Sequence, residues 1–174
     1  ADPEERTWGG KATTIWIRAV SFLFFHEFTH LVCGHYQATN KMDSLDMEKD
    51  ADNASFDTVM SAAVSRPTAI ECKLGVMLVA TSNLFFIREA SFLNQGGCHP
   101  DLDDRLRFVL ERSSLNTDPD KEYYYYALSC LCACAFRHYS FPFKQQSTYQ
   151  TAEQYFSDVL ANFDELKKYI QNQS

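Results

Sequence analysis

A chain of 174 residues that is 45% hydrophobic and 14% aromatic has enough apolar material for one compact domain with a real core, without covalent staples. Its net charge of −7, from 16 Lys and Arg against 23 Asp and Glu, excludes a general nucleic-acid binder and docking on an anionic membrane, both of which need a basic face. The apolar stretch Ala19 to Phe25 is far too short to span a bilayer.

The N-terminus, ADPEERTWGG, carries no signal-peptide pattern. Pro3, Gly9 and Gly10 predict an irregular segment over residues 1–12, with at most a short edge strand before Thr13. From Thr13 to Tyr36, apolar positions at Ile15, Ala19, Phe22, Leu23 and Leu31 predict a first helix. The polar stretch Gln37 to Asp43 reads as a loop, and Asp43 or Ser44 can cap a second helix reaching about Val64. Arg66-Pro67 breaks the chain, and Thr68 can cap an apolar third helix to about Leu93.

Asn94-Gln95-Gly96-Gly97 is the clearest turn. Pro100 suits the first turn of a fourth helix ending near Arg112, and Thr117-Asp118-Pro119 opens a fifth, to about Tyr139. Pro142 closes that region. Thr151 to Gln171 is amphipathic through Tyr155, Val159, Leu160, Phe163, Leu166 and Ile170, which predicts a last helix. The tyrosines from Tyr123 to Tyr126 occupy every helix face, so some must be exposed. No strand pair, repeat or low-complexity segment is visible.

Six cysteines stand at positions 33, 72, 98, 130, 132 and 134. An even count invites a disulfide framework, but the core is ample and Cys130, Cys132 and Cys134 lie too close together to pair easily. Reduced thiols are therefore expected, and with them a cytoplasmic setting. Cys33 and Cys98 could in principle ligate a metal as inhibitors; the plainer reading is small buried residues, and the same holds for Cys130 and Cys134. No CxxC pair supports a separate structural zinc.

His26-Glu27-Phe28-Thr29-His30 has the form HExxH inside a predicted helix. Histidines four apart lie on one face, so both imidazoles can reach one zinc ion, and Glu27, one step round, can take a proton from a water beside it. The apolar residues from Val20 to Phe25 predict that this helix is buried, and burying two histidines and a glutamate without a partner would be costly. A third protein ligand is needed, with the fourth position open. The pattern with a third histidine six residues after the second fails here, because Cys33 and Tyr36 occupy the expected glycine and histidine places. His35, five residues past His30, turns to another face and reads as a helix-terminal histidine favoured by the helix dipole.

A carboxylate from the next helix is the remaining source. Glu48 lies in its first turns, and the loop lets that helix fold back antiparallel, so Glu48 can reach the metal. Asp52, one turn on, can accept the free ring N–H of a ligand histidine. A solvated acidic helix start is the plain alternative for both residues.

HExxH followed by ExxAD on the next helix resembles the gluzincin metallopeptidases, above all the group of HtpX heat-shock proteases and CAAX prenyl endopeptidases. That group carries a later HP motif with an arginine six residues after the histidine, matched by His99-Pro100 and Arg105. The resemblance touches residues 26–106 and covers no motif in the last third. It implies His26, His30 and Glu48 as zinc ligands and Glu27 as general base. It also implies Asp52 orienting a ligand histidine, His99 stabilising the oxyanion, and Arg105 fixing local structure; for His99 the plain alternative is a helix-start residue. Unlike those membrane proteases the chain has no transmembrane helix, so it looks like a minimal soluble relative. It is also similar to the phage-exclusion Lit peptidases, another short HExxH group.

The expected fold is mainly α: a compact single-domain, zincin-like helical fold with about six helices and little or no β-sheet. The expected activity is zinc-dependent hydrolysis of peptide bonds in a protein or peptide substrate. One rival is a catalytically inactive zinc-bearing interaction or regulatory module, suggested by the lack of an edge strand to hold substrate. The other is a helical protein with an accidental HExxH.

Overall fold

The computed structural model describes residues 7–37, 41–86, 102–113, 115, 118–143 and 148–172. Six α-helices carry them: α1 Trp8–Cys33, α2 Lys41–Ser61, α3 Arg66–Ser82, α4 Leu102–Arg112, α5 Asp118–His138 and α6 Ala152–Gln171. No described residue is in a strand. Among the described residues, no helix is long and apolar enough to cross a membrane. They group into two units, one reaching Val79 and the other starting at Ala80.

The first unit begins earlier than its sequence suggests. α1 starts at Trp8, so Gly9 and Gly10 are helical rather than part of an irregular segment, and residues 8–12 form no edge strand. The cause is Thr7, an extended N-cap whose hydroxyl accepts the Gly10 N–H at 3.1 Å. The far end is set by Gly34, at φ +69°, whose N–H returns to the carbonyls of His30 and Leu31. This closes the helix at Cys33, short of the predicted Tyr36, and His35–Gln37 follow as a 3₁₀ turn.

α1 buries a single face, through Ala19, Phe22, His26 and His30. The run before the histidines does not bury the helix all round: Val20, Leu23 and Phe24 are exposed, as are Trp16, Phe28 and Leu31. Consecutive residues on a helix point in every direction, so an apolar run shows that a helix is apolar, not that every side is covered.

α2 and α3 supply the other walls. Ala51, Phe56 and Val59 of α2 and Cys72, Val76 and Met77 of α3 are buried, and the Cys72 thiol points at the Val59 carbonyl, 3.4 Å away. Each such large apolar side chain contributes about 1.5–3 kcal/mol on leaving water. α3 starts at Arg66, two residues before Thr68, with the Ser65 hydroxyl accepting the Thr68 N–H and Pro67 in the first turn, where a missing N–H costs nothing. Gly75 lets α3 touch α1: a Cβ there would stand 2.6 Å from Arg18 Cβ and 2.9 Å from the Ala19 nitrogen.

The second unit holds the 3₁₀ turn Asn83–Phe86 and helices α4 to α6. The predicted continuation of α3 to Leu93 lies outside the described residues beyond Phe86. Phe136 centres the core of α5 and α6, its ring 5.3 Å from that of Phe163 and 5.2 Å from that of Phe143. Glu122 of α5 accepts the backbone N–H of Ala152 and so caps α6. Within the tyrosine run, Tyr124 is buried while Tyr123 and Tyr126 are exposed.

Candidate metal centre

Four of the residues singled out in the sequence meet on the buried seam between α1 and α2. Histidines 26 and 30 fall on α1's inner face because their spacing is close to one 3.6-residue turn. Glu48 and Asp52 repeat that spacing on α2, with Ala51 between them fully buried and small enough for the helices to approach. His30 meets Glu48, whereas His26 reaches both Glu48 and Asp52, the order expected of an antiparallel pair.

The distances are those of a ligand set. His26 Nε2 lies 3.2 Å from His30 Nε2 and 3.4 Å from Glu48 Oε2, and His30 Nε2 lies 3.1 Å from Glu48 Oε1. Four-coordinate zinc, with bonds of 2.0–2.2 Å to nitrogen and oxygen, needs ligand atoms about 3.3–3.6 Å apart, a spacing that small side-chain shifts would reach from here. All three residues are buried, and together they could hold a metal ion. The chemistry of the donors fits as well as the spacing. Asp52 Oδ1 lies 2.9 Å from His26 Nδ1, a carboxylate that favours a ring proton on that nitrogen and so a bare Nε2 facing the Glu48 carboxylate. Lone pairs packed this closely repel unless a proton or a metal cation lies among them. Burial pushes the His30 imidazole below its ordinary value of 6.5, with Glu48 pulling the other way. The neutral form is the one that binds a metal.

Phe22 stacks on His26 from one turn earlier, ring centroids 6.5 Å apart, and restricts its ring. Glu27 is exposed on α1, close enough for its charge to act on His30, and is bordered by exposed Leu23, Phe24, Phe28 and Leu31. A carboxylate in this position can exchange protons with groups arriving from solvent.

His99 lies outside the described residues. Arg105 is half-buried on α4, in the second unit. Cys33 and Cys134 are exposed rather than buried, Cys130 is half-buried, and Cys72 and Cys132 are buried. All five cysteines among the described residues are free thiols, and burial drives the Cys132 thiol well above its usual range.

One residue of the cluster escaped the sequence reading. His35 is not an end-of-helix histidine on another face: its Nδ1 stands 3.1 Å from Nδ1 of His30, with the ring planes at 76°. The available signal was Gly34. A glycine after a helical run marks a left-handed cap, which turns the next residue back over the last turn.

The sequence model of the family described as Peptidase U49 matches residues 1–128, and the chain belongs to that family. The match supports a peptidase family of the Lit phage-exclusion type, and not the HtpX and CAAX prenyl endopeptidase group specifically. No curated protein and no solved structure matches the chain.

Proposed function

We propose that this member of the Peptidase U49 family is a zinc-dependent metalloendopeptidase of gluzincin type, with His26, His30 and Glu48 holding the metal. The convergence of three buried residues carries the reading: the two histidine Nε2 atoms lie 3.2 Å apart, and each has a different Glu48 carboxylate oxygen within 3.1–3.4 Å. A zinc ion held there would polarise the scissile carbonyl and lower the pKa of the attacking water. Glu27 would take the proton from the attacking water and deliver it to the leaving amine. Asp52 keeps His26 in the tautomer that presents Nε2. On the motif alone, His99 is assigned to stabilising the oxyanion and Arg105 to fixing local structure. The free thiols favour a cytoplasmic setting.

A zinc-bearing interaction or regulatory module without catalysis is the second reading, favoured by the absence of any strand among the described residues to align an extended substrate. Zinc-loaded wild type and Glu27→Gln, incubated with a diverse library of unstructured peptides and read by mass spectrometry, separate the two. The peptidase reading predicts zinc in both proteins and a loss of roughly 10²–10⁴-fold in cleavage for the variant. Equal cleavage would remove Glu27 from its role. Bound zinc with no cleavage by wild type would favour the module.

A further inference from the structure

We propose that His35 is a positioning residue for the metal centre, holding His30 in the orientation and tautomer that present Nε2 to the metal; the inference rests on the reading of His30 as a ligand. His30 turns Nε2 toward His26 and Glu48, so ligation requires that nitrogen to be bare. A neutral imidazole has one ring proton, which must then sit on Nδ1. That atom faces His35 Nδ1 at 3.1 Å. His35 therefore accepts, through a bare Nδ1, and carries its own proton on Nε2.

The backbone is arranged for this contact. Gly34 adopts φ +69°, a conformation that residues with a Cβ rarely take, although the space beside it is open. The glycine is there for its dihedral, not for room. Its N–H bonds to the His30 carbonyl, and the next residue sends its ring to the His30 ring. One turn thus grips His30 at both backbone and side chain. Asp52 stands 2.9 Å from His26 Nδ1, so the two ligand histidines have neighbours of different kind: a carboxylate for one, a second imidazole for the other.

The test measures zinc affinity by competition with a chromophoric chelator for wild type, His35→Ala, His35→Asn and His30→Ala, with helical content checked by circular dichroism. The expected result is one site in wild type and none in His30→Ala. His35→Ala should keep the site but weaken it roughly 10–100-fold. His35→Asn, which still offers an acceptor oxygen, should recover much of the loss, a rescue that a purely packing role would not show. Long-range ¹H–¹⁵N correlation on the zinc-loaded wild type reads the tautomer directly and does not depend on any variant folding: His35 should carry its proton on Nε2. Unchanged affinity in His35→Ala, or a His35 proton on Nδ1, overturns the proposal while leaving the metal site standing. No zinc bound by wild type overturns both.

Discussion

Replacing Gly75 by alanine tests the packing that sets α1, and with it both histidines. Two effects of opposite sign compete. In an open helix position alanine is favoured over glycine by about 1 kcal/mol. Here its Cβ would lie 2.6 Å from Arg18 Cβ, 2.9 Å from the Ala19 nitrogen and 3.0 Å from the Ile15 carbonyl oxygen. Carbon atoms in contact rest about 3.5–4.0 Å apart, so α3 must back away from α1 by close to 1 Å. Two of the three obstacles are backbone atoms, which cannot rotate aside. Overpacking of this kind costs about 1–3 kcal/mol and should outweigh the gain in propensity. Urea titration followed by far-UV circular dichroism is the assay, and a lower midpoint at unchanged slope is the expected outcome. The shift is felt at Ala19, about 10 Å along the helix from His26, so a weaker zinc site should accompany it. A Gly75→Ala protein as stable as wild type, or more so, would refute the account of the α1–α3 crossing.

The other predictions concern the seam. Asp52→Ala removes the acceptor 2.9 Å from His26 Nδ1 and should weaken zinc by roughly 10–100-fold, measured by chelator competition; Asp52→Asn, keeping an oxygen, should lose less. Glu48→Gln preserves volume but removes the anionic member of the proposed ligand set, and should weaken zinc more than Asp52→Asn does. Acidification adds a directional test. The folded-state value of His30 lies below 6.5, so the unfolded chain takes up the proton first as pH falls. The stabilising contribution is complete above about 6.5 and is lost as pH falls toward the folded value. The urea midpoint of metal-free protein should fall with pH through that window, more steeply in wild type than in His30→Gln.

Much of the fold was legible because its signals are local. Thr151 to Gln171 was expected as a helix and α6 runs Ala152–Gln171, since a clear apolar stripe and a capping threonine act over a single turn. The pairing of HExxH with Glu48 and Asp52 was legible because four-residue spacing fixes a face, and a short loop limits which helix comes next. The misreadings share a cause: each concerned how a segment ends or what lies against it. Thr7 was overlooked as a cap because Gly9 and Gly10 looked like breakers, yet glycines in a capped first turn cost little that packing cannot offset. Extending α1 through Gly34 put His35 on the wrong side of the helix. The exposure of Val20, Leu23 and Phe24 was not readable from apolar content, because burial depends on which faces meet neighbouring helices.

The central claim is that the seam between α1 and α2 is a metal site. Metal content by plasma mass spectrometry, on purified wild type and His30→Ala after zinc is supplied and excess removed, tests it most directly. About one zinc per wild-type chain, as expected for a three-ligand site with an open position, and none in the variant, is the predicted result. A metal-free wild type, or equal zinc in both proteins, would contradict it.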